Sequence, residues 1–107
     1  MKSLVALVGM KHRGREVMDL VAGLPNGEPL TLVREIGNKF DHRAVQVWAR
    51  GVHVGFVKRE QNAEISARLD AAIARLGMDV KGVSMPAKLA IDGGKWPLIE
   101  IEYGVVQ

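Results

Sequence analysis

The chain has 107 residues, 48% of them hydrophobic and 25% charged, with no cysteine and a formal net charge of +3. That length holds one domain around a single core, and the composition is that of an ordinary soluble globular protein. The missing cysteine excludes a disulfide framework, a thiolate zinc site and a cysteine nucleophile. No apolar run approaches the roughly 20 residues that a membrane helix needs. The short run Leu4–Met10 ends with charge on the wrong side for a signal peptide, so a cytoplasmic protein is expected.

Charge is spread unevenly. Residues 1–59 carry ten Lys/Arg against five Asp/Glu, giving +5, and residues 60–107 carry five against seven, giving −2. The first half would therefore draw a phosphate-bearing partner; a basic face kept for solubility is the plain alternative.

In chain order, the apolar run Leu4–Met10 suits a strand buried on both faces. Lys11-His12-Arg13-Gly14-Arg15 then makes a basic loop around a glycine, either a ligand contact or a solvated loop. Val17, Met18, Leu20, Val21 and Leu24 suggest a short helix or an irregular turn, broken by Leu24–Pro29. Leu30–Glu35 reads as a strand. Gly37-Asn38 is a turn signal, and Lys39-Phe40-Asp41-His42-Arg43 crowds an aromatic, an acid and three potential cations into a corner. Ala44–Trp48 and Val52–Val57, joined by Arg50-Gly51, read as a β-hairpin that exits at Lys58-Arg59.

Residues 59–77 form the one clear helix, with Ile65, Leu69, Ile73 and Leu76 on a stripe, Asn62 as N-cap and Gly77 as C-terminal stop. It is expected to plug one side of a barrel. Asp79–Met85 alternates like a strand that Pro86 ends or bends. Lys88–Ile91 and Pro97–Tyr103 flank a turn at Asp92–Lys95. Trp48 and Trp96 are expected in the core or against the barrel wall, and Tyr103 in the core. The whole chain, 1–107, reads as a single mainly β domain: about six short strands and one α-helix in a small OB-like or SH3-like β-barrel.

Enzyme motifs are missing. No phosphate-binding GxxxxGK[ST], HExxH or GxSxG occurs, and His12, His42 and His53 lack metal-ligand spacing. Ser3, Ser66 and Ser84 have no His or acid at a triad-like offset. Asp41-His42 has the ingredients of an acid orienting a general base, but adjacent residues point different ways along a turn. Asp41 capping its own turn is the simpler reading. No catalytic residue, cofactor or metal is expected, and the domain is not expected to be an enzyme.

Several stretches together resemble the HIRAN domain. They are Leu7-Val8-Gly9, then Leu32-Val33-Arg34-Glu35-(x)2-Asn38-(x)-Phe40-Asp41-(x)2-Ala44-Val45-(x)-Val47, then Val54-Gly55-Phe56-Val57. Gly82-Val83, Pro86 and the closing strand Pro97–Tyr103 extend the similarity over nearly the whole chain. The resemblance implies a modified OB-like barrel that binds single-stranded DNA at its free 3′-hydroxyl end, in DNA repair or replication-fork processing. Family members occur at the N-terminus of fork-remodelling Snf-type helicases and as stand-alone bacterial and phage domains.

Carried over by position, the resemblance implies that Asp41 accepts a hydrogen bond from the 3′-hydroxyl and that Phe40 stacks on a terminal base. Asn38 bonds the end nucleotide or holds the loop. Lys11, His12 and Arg13 take the place of a basic residue and two tyrosines, and Phe56, Lys58 and Arg59 lie near the phosphates, with Arg43 completing the cationic set. The chain departs from the pattern at those tyrosines, which narrows the stacking surface. Ile36 and Lys39 stand where prolines are usual, which leaves the loop less pre-set. The expected partners are the 3′ end of single-stranded DNA and a separately encoded helicase or nuclease, with no membrane. The alternative is a non-catalytic protein-interaction domain docking a repair or replication partner.

Overall fold

A computed structural model describes residues 2–77, 83–91 and 97–102. Its strands are β1 (Lys2–Val8), β2 (Pro29–Arg34), β3 (Val45–Ala49), β4 (Val52–Val57), β5 (Met85–Ala90) and β6 (Leu98–Glu102). They pair antiparallel in a closed barrel of order β1-β4-β3-β2-β5-β6. Two helices are inserted, α1 (Arg15–Ala22) after β1 and α2 (Ala63–Leu76) between β4 and β5. The mainly β barrel expected from the sequence is present, with α1 as a second helix.

Period-two patterning explains the barrel. Leu30 and Leu32, Val45 and Val47, Met85 and Leu89, and Ile99 and Ile101 all point inward and are buried. α2 adds Ile65 and Leu69 of its stripe to the same core, with Ala72 beside them; Ile73 packs half-buried against it, while Leu76, the last residue of the expected stripe, is exposed. Gly77 (φ 64) ends α2, its N–H donating to the Ile73 carbonyl. The hairpin turn is Arg50 (φ 52) and Gly51 (φ 77), and this left-handed pair matches the twist of β3 and β4. Among the described residues, no helix is long and apolar enough to cross a membrane.

Three details differ from the sequence reading. β1 stops at Val8, because Gly9 (φ 83) turns the chain into a 3₁₀ turn at Met10–Arg13. Nor is β1 buried on both faces: Val5 and Leu7 are buried while Leu4 is exposed, since a closed barrel has one dry face. Pro86 does not end a strand but sits inside β5 opposite Thr31 of β2; among the described residues β5–β6 pairing starts at Lys88. The expected strand over 79–85 contributes Met85 to β5; residues 79–82, the turn at 92–95, Trp96 and Tyr103 lie outside the described residues. Trp48 is half-buried on the outer wall of β3.

β1 and β4 meet through Leu7↔Val57 and Val8↔Phe56. A Cβ on Gly55 would stand 2.5 Å from the Val8 carbonyl oxygen, so this seam requires glycine. Gly55→Ala is expected to lower stability by about 1–3 kcal/mol, because backbone cannot yield as a side chain does. Gly23→Ala, whose new methyl would meet nothing closer than 3.7 Å, is the control, expected within about 1 kcal/mol of wild type. Urea unfolding of the two variants separates the outcomes; equal midpoints would remove the seam argument.

Candidate nucleic-acid interface

The corner between β2 and β3 is built around one buried cation. Arg34 is the last residue of β2 and keeps the inward phase of Leu30 and Leu32, so its side chain enters the barrel end with 7% exposure. A buried guanidinium must find acceptors. Arg34 Nε donates to Asp70 Oδ1 of α2 at 2.9 Å, and its terminal nitrogens donate to the carbonyls of Glu35 (2.8 Å), Ala44 (3.1 Å) and His42 (2.6 Å). One side chain thus gathers both ends of loop 35–44 and ties them to α2.

Inside the loop, Asn38 Oδ1 accepts the backbone N–H groups of Phe40 (2.8 Å) and Asp41 (3.0 Å), an Asx turn. Asn38 Nδ2 donates to Glu35 Oε2 at 2.7 Å. Glu35 Oε1 accepts from Gln46, whose own carbonyl accepts the Trp48 indole N–H. Of the two roles the resemblance implies for Asn38, holding the loop is the one these bonds perform. Asp41 Oδ1 accepts the Arg43 N–H at 3.0 Å, the turn cap foreseen above, and Asp41 Oδ2 accepts from Asn62 Nδ2 at 2.8 Å. The loop lacks the usual prolines yet is held by this set of hydrogen bonds.

The corner overlooks a groove of about 250 Å³ lined by Val8, Asn38, Phe40, Asp41, Phe56 and Arg59, among others. Phe40 is 87% exposed, an aromatic face with nothing of its own chain upon it. A second, larger groove of about 560 Å³ is lined by Met10, Lys11, Met18 and Lys58 and shares Val8 with the first. Five of the expected residues (Asn38, Phe40, Asp41, Phe56, Arg59) therefore line one groove, and Lys11 and Lys58 line its neighbour.

His12, Arg13 and Arg43 line neither. His12 is exposed on the 3₁₀ turn, and Arg13 Nε donates to the His53 carbonyl on the hairpin. Arg43 is exposed and reaches Asp41 through its backbone. Lys11, Lys39, Arg43, Lys58 and Arg59 have no ion-pair partner among the described residues, whereas Arg50 pairs with Glu28 and Arg68 with Glu64. The first group keeps its charge available to a ligand. Among the described residues no cluster of three or more His, Cys, Asp or Glu is placed to hold a metal ion.

Arg34, Glu35, Gln46 and Asn62 matter here but carried no role at this site in the sequence reading. Arg34-Glu35 was visible as part of the motif. Asn62, 21 residues from Asp41, gave no local signal and was read as a helix cap; it does occupy that position, but its side chain makes no cap hydrogen bond.

Behind Phe56, His53 stacks on Trp48 with centroids 5.4 Å apart and meets Phe56 edge-on at 5.0 Å. Burial, with the Arg13 charge as a smaller cause, holds the His53 pKa below the ordinary histidine value. Unfolded, His53 titrates near about 6.5. Between that value and the lower folded one the unfolded chain binds more protons, so this contribution to stability is complete above about pH 6.5 and declines on acidification. Melting temperatures across that range should fall more steeply for wild type than for His53→Gln; parallel curves would refute the assignment.

Arg34→Met removes the donors of three loop carbonyls and is expected to destabilise by about 1–3 kcal/mol. Asp70→Asn should cost no more than about 1 kcal/mol, because Asp70 is 49% exposed and the amide oxygen still accepts. Equal losses in chemical denaturation would show that the ion pair, not the loop carbonyls, is what Arg34 serves.

Comparison with known proteins agrees with this geometry. A solved structure of a protein from Lactobacillus plantarum superposes with a TM-score of 0.60 over 95% of this chain and 100% of its own, at 19% sequence identity, a likeness of fold. No curated protein matches the chain. The HIRAN domain matches residues 3–91. Since that match spans residues 3–91 of the 107, the chain belongs to the HIRAN domain family of DNA-binding modules.

Proposed function

We propose that this domain is a non-catalytic module that binds single-stranded DNA and prefers a free 3′-hydroxyl end. One juxtaposition carries the reading: an exposed Phe40 stands beside the Asp41 carboxylate on a groove edged by Arg59. Single-strand binders combine aromatic platforms, worth about 1–3 kcal/mol per base, with cations along the backbone. Lys11, Lys58 and Arg59 supply such cations. A carboxylate accepts a hydrogen bond from a hydroxyl but repels a phosphate. At about 4 Å that repulsion is on the order of 1 kcal/mol in water and 4 kcal/mol near a protein surface. Asp41 therefore favours a strand end over an internal position or a phosphorylated end. Such a domain would serve repair or fork processing, beside a separately encoded helicase or nuclease.

The apolar lining of the second groove, with Met10 and Met18, favours a second reading, a docking site for a protein partner. Salt separates the two, since DNA affinity falls steeply with ionic strength and a mainly apolar contact does not.

Fluorescence anisotropy with short oligonucleotides ending in a 3′-hydroxyl or a 3′-phosphate tests the proposal. Wild type is expected to prefer the hydroxyl, and Asp41→Ala to lose that preference. Phe40→Ala should weaken both by roughly 5- to 150-fold, the equivalent of 1–3 kcal/mol. Equal affinity for both ends would leave a general single-strand binder. Absence of binding at low salt would favour the protein-docking reading.

A further inference from the structure

Asn62 holds the N-cap position of α2 but does not cap it. Its backbone lies at φ −97, ψ −5 instead of the extended region usual for a cap, and its side chain makes no cap hydrogen bond. The side chain is 1% exposed, and its amide donates across 21 residues to Asp41 Oδ2. A residue type favoured at helix starts for capping has been turned away from the helix toward the groove.

The chemistry of that contact is selective. A carboxylate on its terminal sp² torsion turns easily. Each of its oxygens accepts in two directions. Asn62 takes one direction on Oδ2 and the Arg43 N–H takes one on Oδ1, which fixes the carboxylate plane and leaves one acceptor direction on each oxygen. Both donors are neutral. An Arg or Lys in the place of Asn62 would also orient the carboxylate but would cancel the charge that repels phosphate.

We propose that Asn62 is a specificity-determining positioning residue, which orients Asp41 toward a terminal hydroxyl while leaving its negative charge uncompensated. This inference rests on the end-binding reading above and adds to it the residue that sets the discrimination. Asn62 touches no ligand; it acts through Asp41.

The experiment measures the ratio of affinities for 3′-hydroxyl and 3′-phosphate oligonucleotides in wild type, Asn62→Ser, Asp41→Ala and the double variant. Serine is accepted at a helix start as well as asparagine, and no cap hydrogen bond is lost because Asn62 makes none, but the serine side chain is too short to reach Asp41. Asn62→Ser is expected to reduce the hydroxyl preference by about tenfold, the worth of one charge-assisted hydrogen bond. On the Asp41→Ala background it should change the ratio no further. A merely structural role would weaken both oligonucleotides alike and leave the ratio intact.

If Asn62→Ser does not unfold cooperatively, Asn62→Thr is measured instead; it too is accepted at a helix start, adds no charge and is too short to reach Asp41, and the same loss of preference is expected. A wild type that prefers the hydroxyl, with a variant that keeps that preference, overturns the role of Asn62 alone. A wild type with no preference overturns the end-binding reading on which it rests.

Discussion

The corner of this domain depends on the need of one buried guanidinium for acceptors. Strand alternation carries Arg34 into the barrel end, where removal from water costs several kcal/mol unless its donors are met. Asp70 and the carbonyls of Glu35, His42 and Ala44 give each of its three nitrogens an acceptor and take four of its five N–H groups. A loop conformation that withdrew one carbonyl would leave a donor unpaired at about 1–3 kcal/mol. Loop 35–44 is thereby limited to one path, and α2 is anchored to that path through Asp70.

A loop held in this way can display an apolar ring. Phe40 is almost wholly exposed, and Asn38 Oδ1 fixes the backbone at Phe40 and at Asp41 by accepting both N–H groups. Binding to such a platform forgoes little ordering of the chain, because the order already exists. Proline would have achieved similar stiffness by restricting φ. Ile36 and Lys39 leave that restriction out, and side-chain hydrogen bonds from Asn38, Glu35 and Arg34 take its place.

The grooves follow from where the barrel closes. β1 meets β4 over Leu7↔Val57 and Val8↔Phe56, then leaves at Gly9. Val8 consequently lies between the aromatic, acid-bearing groove and the methionine-lined one. The close approach at Gly55 places Phe56 on the groove wall, with His53 and Trp48 stacked behind it. Cations that are not ion-paired border both grooves, so attraction to a polyanion is retained beside the Asp41 carboxylate.

Local pattern was enough for the sequence to place β2, β3, β4 and β6, the β3–β4 hairpin, most of the stripe of α2 and the residues of the corner. Alternation, an Arg-Gly turn and a three-to-four spacing are properties of neighbouring residues, and Phe40 beside Asp41 is a property of the chain itself. Two local inferences failed for want of the tertiary frame. Leu4–Met10 is uniformly apolar, yet closure gave β1 one dry face; Pro86 reads as a strand break, yet it lies within β5 opposite Thr31. The sequence likewise named Lys11, His12 and Arg13 together, whereas the fold sends Lys11 to a groove and Arg13 to the hairpin. The tertiary structure alone decided what Arg34 and Asn62 do. Their partners lie 36 and 21 residues away, and such bonds exist only once the barrel has closed and brought α2 against the corner.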